Sequence, residues 1–132
     1  MQRHPALLSL AASLLWVAGC SPGAAAPAPG VSLTIDGKNQ VVQGSVSCSS
    51  HSAGEAIQVG EMPSGVYVHV APQNSGIEEV KLGNSTGKPL VGRNANLSLG
   101  QDGTYDITGE AVPADTNDSS APKPFELKIK CP

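Results

Sequence analysis

Three thiols carry most of the chemistry this sequence could perform: Cys20, Cys48 and Cys131. A cysteine can be alkylated, paired in a disulfide or used as a metal ligand. No Cys-x-x-Cys spacing is present, so a redox motif or a zinc site has little support. Cys20 stands apart from the other two. An uncharged apolar run from Ala6 to Ala18 precedes it, with Arg3 as the firm positive charge in front. At about thirteen residues that run matches the core of a signal peptide and is too short for a permanent membrane span. The small pair Ala18-Gly19 suits a signal peptidase site, and Cys20 is expected to become the first residue of the mature chain.

The stretch Val17-Ala18-Gly19-Cys20 resembles the bacterial lipobox, a small or aliphatic triplet followed by Cys. That resemblance implies transfer of diacylglycerol to the Cys20 thiol and cleavage just before it. The chemistry is consistent, because a thiolate is the one good nucleophile at this place. Two acyl chains then turn marginal membrane binding into stable anchoring, at about 0.8 kcal/mol per buried methylene. The alternative is an ordinary secretory signal that happens to end beside a cysteine.

With Cys20 assigned to lipid, Cys48 and Cys131 remain, and only one intramolecular pairing is open to them. Export places them where disulfides persist. They are 83 positions apart, and closing a loop of that length stabilises the fold by about 4.5 kcal/mol in the chain-entropy picture. Two free buried thiols are the alternative.

Other reactive side chains are weighed and set aside. His51 and Glu55 are four apart, but the local pattern reads as loop rather than helix, so they are expected on a surface loop with no shared face. His69 alternates with Val68 and Val70 and reads as a solvent-facing strand residue beside Tyr67. Asp115 to Ser119 with Glu126 faintly echoes a calcium loop. Ser120 replaces the glycine that loop needs, however, and Pro122 and Pro124 interrupt it. No catalytic residue, metal site or cofactor is assigned, and the chain is expected not to be an enzyme.

The elements that would position these groups are written in β-branched residues and glycine. The whole chain has eleven acidic residues against eight Lys and Arg, and aromatics make up 3%. It shows no basic cluster, which argues against nucleic acid as a partner. The segmentation expected is a signal peptide over 1–19, a lipidated Cys and Pro/Ala/Gly tether over 20–30, and a β domain over 31–132. Ser21 to Gly30 offers nothing to a core and reads as a semi-extended tether.

Beyond the tether, alternation of period two recurs. Val31, Leu33 and Ile35 form one set. Asp36-Gly37 then signals a turn into a second strand, with Val42, Gly44, Val46 and Cys48 on one face. Further sets are Ile57 and Val59; Val66, Val68 and Val70; Val80 and Leu82; Leu90-Val91; Leu97 and Leu99; and Tyr105, Ile107 and Gly109. The last strand is the cleanest, with Phe125, Leu127, Ile129 and Cys131 inward and Glu126, Lys128 and Lys130 outward. Both cysteines fall on core faces read independently, which supports their pairing. Turn signals every eight to twelve residues or so then predict an all-β, antiparallel sandwich or partly open barrel of seven to eight strands with one disulfide.

The blocks Ile35-Asp36-Gly37-Lys38, Gly44-Ser45-Val46-Ser47-Cys48, Leu82-Gly83-Asn84, Tyr105-Asp106-Ile107-Thr108-Gly109 and Phe125-Glu126-Leu127, with a late Cys131, resemble in order the mycobacterial nineteen-kilodalton lipoprotein antigens, the LpqH-like group. The resemblance implies a cell-envelope location on the extracytoplasmic face and a membrane anchor through lipid on Cys20. It also implies host innate receptors as partners for the acylated N-terminus, and no enzymatic activity. The tether departs from the family, since Ser21 is the one hydroxyl residue between Cys20 and Gly30 and leaves little for O-glycosylation to act on. A non-enzymatic binding or structural lipoprotein is therefore expected. The alternatives are an envelope lipid or glycolipid carrier, which would need an internal apolar cavity, and an envelope enzyme.

Overall fold

A computed structural model describes residues 28–62, 64–83 and 88–132. The apolar segment, Val17–Cys20, the tether as far as Pro27 and the turn expected at Asn84–Gly87 lie outside the described residues. The strands are β1 (Val31–Ile35), β2 (Lys38–Gln40), β3 (Val46–His51), β4 (Gly54–Val59), β5 (Val66–Val70), β6 (Ile77–Leu82), β7 (Leu90–Leu99), β8 (Thr104–Pro113) and β9 (Lys123–Lys130). A 3-10 turn at Pro72–Asn74 links β5 to β6.

All nine strands belong to one antiparallel sheet, in the order β2-β1-β9-β8-β7-β6-β5-β4-β3. From β3 to β9 the chain is a simple meander, and β1 then adds to the outer side of β9, with Leu33 opposite Leu127 and Ile35 opposite Phe125. Laid flat, six strand spacings would separate β3 from β9 by about 29 Å. The Cα atoms of Cys48 on β3 and Cys131 just past β9 are 6.0 Å apart and their sulfurs are bonded. The sheet therefore curls into a half-barrel, and the disulfide fastens its two flanks.

Curling buries one face of every long strand. Ile57, Val59, Val66, Val68, Val70, Ile107, Leu127 and Ile129 have no exposed surface, and no polar side chain is buried with them among the described residues. These are the alternating positions of β4, β5, β8 and β9, as period two requires. A core of aliphatic side chains needs close backbone approach, and the single phenylalanine, Phe125, lies over Gly92 and Gly109, where added methyl groups would come within 3.1 and 3.0 Å of its ring.

Nine strands form where seven or eight are expected, and two of the expected stretches are redrawn: one changes partner part-way, and a pair fuses into a single strand. The stretch from Val42 to Cys48 does not continue as the partner of β1. The short β2 pairs with β1, the chain turns away, and β3 pairs with β4. Gly44 makes that change of direction at φ +108°, where a side chain would lie 2.5 Å from the Gly60 backbone. Conversely, Leu90-Val91 and Leu97–Leu99 belong to one strand, interrupted by a register shift between Arg93 and Asn96 with Asn94 at φ 52°. Leu99, expected to share a face with Leu97, is 47% exposed near the strand end.

Between the flanks β1/β9 and β3 runs a seam without a regular ladder. Ala28 and Val42 are both buried there, and the Ala28 amide donates to the Val42 carbonyl at 2.7 Å. The Lys130 amide donates to the Gly30 carbonyl at 2.9 Å, which fixes the entry of the chain beside the end of β9.

Candidate functional site

The two poles of the half-barrel differ in chemistry. At the pole where the chain enters, Cys48 and Cys131 each pack against the core from half-buried positions. Glu55 shares the inward face of β4 with Ile57 and Val59, and its carboxylate accepts a hydrogen bond from the Tyr105 hydroxyl on β8. Its other oxygen lies 3.8 Å from Cys131 Sγ. Burial, with the neighbouring Glu55 carboxylate, raises the Tyr105 phenol to about 12. The group Cys48, Glu55 and Cys131 brings its ligand-type atoms within 4.8 Å of one another. The two sulfurs are bonded to each other, however, and are not thiolates, so this group does not hold a metal.

His51 and Glu55, expected in a surface loop, instead stand on the two strands of a tight hairpin. They face opposite sides, with His51 opposite Gly54 and Ser50 opposite Glu55. His69 lies on the outer face, as expected, but is held there. Its Nδ1 is 2.9 Å from the Glu78 carboxylate and its Nε2 is 3.0 Å from the Ala53 carbonyl. In the Asp115–Glu126 segment the acids are engaged locally. Asp115 accepts from the Asn117 amide at 2.9 Å, and Asp118 accepts from the Ser120 amide at 3.0 Å and hydroxyl at 2.6 Å. Glu126 turns to Lys128 on the outer face of β9, at 3.9 Å, so these carboxylates do not converge.

The opposite pole bears a cleft of about 300 Å³, formed where β1 ends, β7 and β9 begin and β8 stops. Lys38, Lys88 and Lys123 line it, together with Asp36 and Asp118 over an apolar floor that includes Ile35 and Leu90. The Ser120 hydroxyl and amide, aided by the charge of Lys88, hold the Asp118 carboxyl below the usual carboxylate range. Sequence reading found no basic cluster because these lysines come from three distant parts of the chain. A Gly-x-Ser-x-Gly spacing, read as absent from the sequence, is in fact present at Gly83-Asn84-Ser85-Thr86-Gly87, the spacing of a nucleophile elbow. That motif works on a strand-to-helix turn, whereas here strands β6 and β7 flank it.

The family model described as Mycobacterium 19 kDa lipoprotein antigen matches residues 24–131. This chain belongs to that family. Lipoprotein LpqH of Mycobacterium tuberculosis is 35% identical over 120 residues, covering 84% of this chain and 73% of that protein. Lipoprotein LpqH of Mycobacterium avium is 34% identical over 113 residues, covering 79% and 70%. As a member of the 19 kDa antigen family, the chain is a non-enzymatic, all-β lipoprotein of the mycobacterial cell envelope.

Proposed function

We propose that this 19 kDa-family protein is held to the outer side of the membrane by diacylglycerol on Cys20, after removal of residues 1–19, and that its half-barrel is a binding or structural module presented at short range. The observation that carries this reading is the fixed entry of the chain. Ala28 and Gly30 are hydrogen-bonded into the seam. Cys20 precedes Ala28 by eight positions, and a fully extended chain of that length reaches at most about 28 Å. The domain then sits with its disulfide pole toward the lipid and its far pole away from it. The acylated N-terminus is the part that host innate receptors would recognise. Carriage of a lipid inside the β domain has less support, because the core strands are filled to zero exposure and the clefts around them open at the surface.

Intact mass of the protein from its native membrane tests the anchor. The expected mass begins at Cys20 and includes acyl chains, with two hydrogens fewer for the disulfide. Cys20→Ala is expected to leave the chain unprocessed or released into the medium, and to abolish signalling through host lipoprotein receptors. A Cys20→Ala variant that stayed processed and membrane-bound would overturn the proposal.

A further inference from the structure

All eleven acidic residues lie among the described residues, so the pairing of every cation near them can be followed. Lys81 pairs with Glu79, Arg93 with Glu110 and Lys128 with Glu126, each on the outer face of the sheet. Lys38, Lys88, Lys123 and Lys130 have no carboxylate within ion-pair distance; the first three line the far-pole cleft, and Lys130 stands at the chain-entry pole. On a molecule with an acidic balance, three of the four unpaired lysines among the described residues are thus gathered around one concavity. Asp36 and Asp118 share it, so its formal charge is slightly positive, which suits a ligand with one or two negative charges and repels a polyanion.

The two carboxylates are acceptors and call for donors on the ligand. Lysine ammonium groups call for an anion, and the Ile35 and Leu90 side chains call for a C–H surface. A phosphate ion answers only the second of these needs, and a neutral sugar only the first and third. We propose that the far-pole cleft binds an acidic sugar, a phosphate ester or carboxylate flanked by hydroxyls. Lys38, Lys88 and Lys123 hold the anion, and Asp36 and Asp118 accept from the hydroxyls. β1 runs from the chain entry to the rim of the cleft, and five residues of strand place the cleft about 17 Å from that entry. It therefore opens away from the seam, whichever way the N-terminus is attached.

Calorimetric titration of the full chain in nonionic detergent tests this. Glucose 6-phosphate and glycerophosphoinositol are the two probes, one a free sugar phosphate and the other a lipid headgroup. Saturable binding of either, with Kd of about 1 mM or tighter, supports the proposal, and the tighter of the two identifies the source. Glucose and inorganic phosphate are expected to bind at least about tenfold more weakly. The double variant K88Q/K123Q should lose about tenfold or more in affinity, whereas K128Q, on the outer face, should lose none. These lysines are exposed, so the variants keep the fold. Absence of saturation with both probes, unchanged affinity in the double variant, or inorganic phosphate binding as tightly as the sugar phosphates would each overturn the proposal.

Discussion

Glu55 is the residue whose role is least apparent from its type. A glutamate beside a histidine and two turn residues reads as surface, yet it points inward to Tyr105 and the disulfide. The signal was present in the period-two series Glu55, Ile57, Val59, which a charged side chain obscures. Tyr105 gives a pH-dependent consequence. Its phenol is raised from 10.0 to about 12 by burial and by Glu55, so between those values the folded state holds a proton that the unfolded chain has lost. Stability is then complete below about pH 10 and falls as the pH rises toward 12. Denaturant midpoints measured across that range should decline, and Tyr105→Phe should flatten the decline while costing about 1–2 kcal/mol at neutral pH from the lost hydrogen bond. An unchanged slope in the variant would mean that another group titrates. The lysines of the far cleft were illegible for a different reason, since proximity created by strand order leaves no mark on sequence spacing.

At the scale of elements, alternation located most inward faces correctly, from Val31, Leu33 and Ile35 to Phe125, Leu127 and Ile129. It could not say which strand pairs with which. Val42, Gly44, Val46 and Cys48 keep their alternation through a change of direction, because two glycines, Gly44 and Gly60, let the backbones cross. The broken reading of β7 has the matching cause, since a bulge shifts the phase of the pattern while the strand continues. Phe125 and its two glycines are the packing unit of this part of the sheet. A methyl at Gly92 would lie 2.7 Å from the Val80 Cβ and 3.1 Å from the Phe125 ring, and one at Gly109 would lie 2.9 Å from the Arg93 carbonyl. Gly92→Ala and Gly109→Ala are each expected to cost about 1–3 kcal/mol, and Phe125→Ala about 3–5 kcal/mol, by urea unfolding. Cost-free substitutions would show that β7 shifts easily beneath the ring.

The whole molecule depends on closure across its seam. The strand order leaves β2 and β3 as unpaired edges, so the hydrogen-bond ladder does not complete the barrel. Cys48–Cys131 does so covalently, across a sequence separation of 83. Reduction is expected to remove up to about 4.5 kcal/mol, a large share of the roughly 5–15 kcal/mol that holds a domain folded. Urea midpoints with and without reductant check this, and a Cys48→Ala, Cys131→Ala variant should match the reduced protein and be indifferent to reductant. The all-β class and the inward cysteines could be read in advance, because each follows from local pattern. The curl could not, since it arises from the meander as a whole.

One feature of β1 bears on how the molecule responds to tension. It is bonded on one side to β2 over Leu33–Ile35 and on the other to β9 over Val31–Ile35, and it runs from the chain entry to the rim of the far cleft. A pull between a lipid-held N-terminus and a ligand gripped at that rim is directed along the strand axis. Under the proposed attachment the five rungs to β9 are then sheared together instead of unzipping one after another, which is the more resistant direction of loading.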